Sequence, residues 1–128
     1  MVIHWASSKQ SIVSISSCEA ELNANVTGVK LGIGIRNVLN ELLQEEVPMR
    51  LIGGNLEALM SITTEVTSWR SRHYAMRAAW IRDMVRIAKI EVAHERGTTL
   101  VSDASTKVLE RTKLKEARQR LGLVQHDE

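Results

Sequence analysis

The junction at residues 11–22 constrains this chain most. Ser11-Ile12-Val13-Ser14-Ile15-Ser16 puts Ile12 and Ser14 on one face and Val13 and Ile15 on the other, the period of a strand. Cys18-Glu19-Ala20-Glu21-Leu22 follows at once and opens a helical pattern. Ser16, three residues before Glu19, reads as a capping box, so the strand stops and the helix starts within two residues. A carboxylate one turn into a helix, just beyond a sheet, is well placed to hold a metal ion.

The remaining periodicities extend this into an α/β order. Strands are expected at 2–6 and 10–16, then a helix over 18–43 in which Leu22, Val26, Val29, Ile33, Val38, Leu39 and Leu42 recur at helical spacing. Gly28, Gly32 and Gly34 lie inside it, each costing about 1 kcal/mol relative to alanine. Residues 49–53 read as a buried strand and 55–63 as a short helix, followed by a polar loop. A strong helix is predicted over 72–89 and a strand over 90–95. Short helices at 102–110 and 113–121 follow, with Gly122 as a C-cap.

At 128 residues the chain is expected to form one domain with one modest core. Hydrophobic content of 44% and charged content of 25% are ordinary for a globular protein, and the 3% aromatic content without Phe implies an aliphatic core. The single cysteine, Cys18, excludes an internal disulfide framework and suits a reducing, intracellular compartment, cytoplasmic or nuclear. No apolar run approaches the roughly 20 residues of a membrane span, and the N-terminus lacks a signal-peptide pattern.

Charge is unevenly spread. Residues 1–65 carry four Lys/Arg against seven Asp/Glu, net −3, whereas residues 66–128 carry thirteen against eight, net +5. An acidic half suits a metal and a basic half suits phosphate, although a basic surface helix that merely faces water accounts for the second equally well.

Four motifs carry a family resemblance. Ser16-Ser17-Cys18-Glu19-Ala20-Glu21-Leu22 is the first and Leu51-Ile52-Gly53-Gly54-Asn55-Leu56-Glu57-Ala58-Leu59 the second. Ser71-Arg72-His73-Tyr74-Ala75-Met76-Arg77-Ala78-Ala79-Trp80-Ile81-Arg82-Asp83 is the third and Ser102-Asp103-Ala104-Ser105-Thr106-Lys107 the fourth. In order and spacing they resemble the ribonuclease H domain that ends Copia-type retrotransposon polyproteins, over almost the whole chain. The resemblance implies a ribonuclease-H-like mixed sheet flanked by helices and lacking its first strands. It also implies descent from an enzyme that hydrolyses RNA in RNA–DNA hybrids with magnesium.

Such chemistry needs clustered carboxylates around two magnesium ions, which take oxygen ligands. By resemblance Glu21 matches the helix Glu, with Glu19 as a possible substitute, and Asp103 matches the late acidic ligand. On residues alone, Glu19 and Glu21 read equally as first-turn carboxylates complementing the helix dipole, and Asp103 as a helix cap. Gly54 stands where the family has an Asp after its fourth strand, and the first-strand Asp has no counterpart. Glu21 and Asp103 alone would hold magnesium weakly if at all, so the chain is expected to be catalytically inactive.

The third motif brings a second set of candidates. Arg72, His73, Arg77, Arg82 and Arg86 are candidates for contact with a nucleic-acid backbone, His73 reading also as a plain surface histidine. Trp80 could stack on a base but matches a family Phe and reads as core. His4, His73, His94 and His126 form no metal-ligand spacing, and Gly53-Gly54 alone is a weak phosphate signal.

The expectation is therefore a degenerate retrotransposon-derived domain with weak, sequence-independent binding to hybrid or duplex nucleic acid. A non-catalytic interaction or self-association module using an exposed sheet edge is the alternative from another class. A fragment of a longer active polyprotein is a third.

Overall fold

A computed structural model describes residues 2–11, 13–14, 16–63, 72–96 and 108–123. Its first helix, α1 (Ser17–Leu43), starts where the capping signal puts it. Extended Ser16 accepts the Glu19 amide on its side-chain oxygen at 3.1 Å and the Ala20 amide on its carbonyl at 3.1 Å. Such a cap satisfies a donor that the helix itself cannot reach and contributes about 1 kcal/mol. At the far end Gln44 turns into the left-handed region (φ 55°), its side-chain amide donates to the Glu41 carbonyl at 2.6 Å, and Asn40 Oδ1 accepts the Val47 amide at 2.7 Å.

Strand β1 (Met49–Gly53) pairs in parallel with β2 (Ile90–His94), in register from Met49 opposite Ile90 to Gly53 opposite His94. Parallel neighbours need a long crossover. Here it holds two helices, α2 (Leu56–Thr63) and α3 (Arg72–Ile87). Leu51 and Gly53 are buried while Arg50 and Ile52 are exposed, so the helices cover one face of the pair. On the open face Arg50 Nη2 meets Glu91 Oε2 at 3.0 Å, an exposed pair worth less than about 1 kcal/mol.

The core draws on every element of this unit: Leu22 and Val29 from α1, Leu51 from β1, Leu59 and Ile62 from α2, Tyr74 and Ile81 from α3, and Ile90 from β2. A Cβ on Gly32 would meet the terminal methyl of Met49, the far end of a flexible side chain that can swing aside. Gly28 and Gly34 have nothing within 4 Å of that position.

The chain divides into two compact units, Ile12–His94 and a second made of Met1–Ser11 with Glu95–Glu128. The second contains α4 (Arg111–Arg120). Its end follows the sequence expectation: Gly122 takes φ 69°, its amide donates to the Gln119 carbonyl at 3.0 Å, and the Leu123 amide donates to the Arg118 carbonyl at 3.0 Å, the paired bonds of a Schellman stop.

The chain is α/β, with four helices and a two-stranded parallel sheet among the described residues. Two sequence expectations need correction. The described residues of 2–6 and 10–16 form no strand; Ile3, Trp5 and Val13 are mostly exposed, Val13 at 91%. Alternation supplies two faces but no neighbour, and a strand is stabilised only by the strand it pairs with. The expected helix at 102–110 is absent over 108–110, where Glu110 is extended (φ −60°, ψ 153°) as the N-cap of α4; its earlier residues lie outside those described.

Candidate functional site

The second motif ends at the carboxyl ends of the two parallel strands, where α/β sheets commonly place ligands. Gly53 closes β1 packed on Leu59, with a would-be Cβ 3.0 Å from Leu59 Cδ2. His94 closes β2, and its Nε2 lies 3.3 Å from the Gly54 carbonyl oxygen, bridging the two strand ends. Asn55 is the N-cap of α2: its Oδ1 accepts the Ala58 amide at 2.9 Å and its carbonyl accepts the Leu59 amide at 3.1 Å. The oxygens offered just beyond β1 by Gly54 and Asn55 are thus engaged in holding the strand ends and starting α2. Gly54 adds no carboxylate.

The other candidate ligands diverge. Glu19 is buried at 7% exposure in the first turn of α1, where a carboxylate complements the helix dipole. Glu21 is half-buried, and at about 100° per residue it points about 160° away from Glu19, so the two cannot serve one metal together. Asp103 lies outside the described residues. Among the described residues no group of three or more His, Cys, Asp or Glu side chains is placed to hold a metal. Gly53, Gly54 and Asn55 offer no carboxylate at the end of β1 and do not fit a magnesium pair.

The third motif is chiefly structural. Tyr74, Ala78 and Ile81 form the buried strip of α3. Arg77 and Arg82 flank it on opposite sides, about 140° apart, and Arg86 lies about 180° from Arg77. Arg82 Nη2 donates to the Ser61 carbonyl at 3.0 Å, which ties α3 to the last turn of α2. Arg77 is half-buried with its Nη1 enclosed. Arg72, His73 and Arg86 are exposed, Arg86 lying 3.6 Å from Asp83. Trp80 is partly buried with Lys30 Nζ 5.3 Å from its ring centre, a cation–π contact rather than an open stacking platform.

Two arrangements escape the sequence motifs. The first is a buried polar chain beneath Arg82: Cys18 Sγ lies 3.2 Å from Tyr74 Oη, which lies 2.6 Å from Ser61 Oγ, which donates to the Ala58 carbonyl at 2.7 Å. It joins α1, α2 and α3, and separations of 56 and 13 residues leave no periodic trace.

The second is the cationic side of α4. Arg111, Lys115 and Arg118 are exposed and recur at i, i+4 and i+7, within about 60° of arc. Arg120, on another side, pairs with Glu95 at 3.3 Å. The i, i+4, i+7 spacing is the signal for this stripe in the sequence.

The chain matches no protein-family model, no curated protein and no solved structure.

Proposed function

We propose that this chain is a retrotransposon-derived, ribonuclease-H-like domain that does not cleave RNA–DNA hybrids and retains weak, sequence-independent binding to nucleic-acid duplexes. The α4 stripe of Arg111, Lys115 and Arg118 is the observation that carries the binding. Three cations on one side of a helix can follow adjacent phosphates, whereas cations spread around a helix cannot. Family descent rests on the four motifs in order. Loss of cleavage rests on Gly54, which leaves the end of β1 without the carboxylate that two-metal hydrolysis requires. Arg72 and Arg86 of α3 are exposed as well, but they stand about 21 Å apart along the helix and add less than the α4 stripe.

Fluorescence anisotropy with a labelled hybrid tests it. Binding is expected to weaken with salt, log K falling against log salt with a slope of about −0.9 for each B-form phosphate contacted. Affinity that does not change between low and moderate salt ends the proposal. With magnesium or manganese present the labelled strand should stay intact; metal-dependent cleavage that Glu21→Gln abolishes contradicts the inactive reading.

A second reading has one observation behind it. The described sheet has two strands, so neither β1 nor β2 has a strand on its outer side among the described residues. An extended peptide from a partner protein could add to such an edge, and pull-down that survives high salt would favour this module over nucleic-acid binding.

A further inference from the structure

α1 carries two apolar sides, and the described residues of its unit pack against one. Cys18, Leu22, Asn25 and Val29 face the core. About 140° around the helix run Ala24, Gly28, Leu31, Ile35, Val38 and Leu42, spaced 4-3-4-3-4 over about 28 Å. That spacing keeps one seam on one side, as in helices that pair along their length. Leu31 is 40% exposed, Val38 57% and Leu42 74%; Ala24 and Gly28 are exposed and Ile35 is half-buried.

The order of side-chain sizes says what covers this seam. Small residues, Ala24 and Gly28, occupy one end, and large ones, Val38 and Leu42, the other. If two copies of α1 run in parallel, Gly28 faces Gly28 and that end of the seam is hollow. If they run antiparallel about a two-fold axis near Ile33, Ala24 meets Leu42, Gly28 meets Val38 and Leu31 meets Ile35 of the other copy. Every layer is then filled, and small residues admit large ones across the seam. Gly34, which also has nothing within 4 Å of its would-be Cβ, borders the seam near the axis, where two backbones come closest.

We infer that this seam is a dimer interface, in which α1 of a second copy packs antiparallel against α1. The inference does not depend on the nucleic-acid reading. A single helix strip about 28 Å long and about 10 Å wide offers far less than the roughly 800 Å² per partner of a standard interface. The dimer is therefore weak, with a dissociation constant of roughly 10 µM or above. It also gives Gly28 a role, since the described residues around α1 leave that position open.

Sedimentation of the full chain from roughly 1 µM to 1 mM tests this directly. The expected result is a monomer–dimer equilibrium whose dissociation constant rises at least about 100-fold in Val38→Glu with Leu42→Glu. Circular dichroism and melting of the dilute variant should match the dilute parent, because both side chains are exposed there. Gly28→Leu should weaken the dimer by clashing with Val38, and Val38→Ala in the same chain should restore it. A monomer throughout the range, or a dimer indifferent to the two glutamates, overturns the inference. Tightening by Gly28→Leu means a parallel pair and also overturns it. So does hydrogen exchange showing the seam side of α1 equally covered at high dilution, since the chain then covers its own seam.

Discussion

α3 and α4 are both rich in cations, but they spend them differently. On α3, Arg72, Arg82 and Arg86 fall within about 80° of arc with Arg77 away from them, but Arg72 and Arg86, the exposed two, lie about 21 Å apart along the axis. Arg82 is a structural tie, its guanidinium on the Ser61 carbonyl. On α4, whose only buried residue is Ala117, Arg111, Lys115 and Arg118 line up on one side in water. The lesson is that the spacing of exposed cations along the axis, and what the remaining ones hold, separates a helix that ties the fold from one that can hold a phosphate backbone.

The contrast can be broken by substitution. The largest effect is expected from Tyr74→Ala on α3, which removes a buried ring and the centre of the Cys18–Tyr74–Ser61 chain. It should cost about 3–5 kcal/mol in chemical denaturation. Tyr74→Phe, keeping the ring, should cost about 1–2 kcal/mol, and a loss as large as that of alanine would mean that the hydroxyl dominates.

Arg82→Ala should cost about 1–3 kcal/mol, because a charged donor to the carbonyl of buried Ser61 is removed. A change within about 0.5 kcal/mol would place Arg82 with the surface cations instead. Gly122→Ala should shorten α4 and cost about 1 kcal/mol, since an L residue is strained at φ 69°. Arg86→Ala, which loses only an exposed 3.6 Å pair with Asp83, should stay within about 0.5 kcal/mol.

How much of this could be read from the residues depends on whether the signal is local. β1 lies at Met49–Gly53 as expected, and α2, α3 and β2 fall within two residues of their expected ends. These are apolar runs with clear stops, and Ser16 and Gly122 act through neighbours three to five residues away. Residues 2–6 and 10–16 looked equally strand-like, yet a strand depends on a distant partner that alternation does not encode. Among the α3 cations Arg82 is set apart by its hold on the Ser61 carbonyl, a partner 21 residues away that helical spacing does not encode. The Cys18–Tyr74–Ser61 chain needs the fold to bring its members together. Asp103 lies outside the described residues, so of the two expected catalytic remnants the structure places Glu21.

The central claim, that α4 rather than α3 holds the duplex, meets its most direct test in paired salt titrations. The parent chain, Arg111→Ala/Lys115→Ala/Arg118→Ala and Arg72→Ala/Arg86→Ala would each be titrated against one labelled duplex. The α4 variant should lose about 2.7 from the magnitude of the log–log slope, three phosphate contacts at about 0.9 each, while its melting temperature holds. The α3 variant should change the slope by less than about 0.9, under one contact. The opposite pattern, a slope that falls with the α3 substitutions and is untouched by those on α4, would contradict the account.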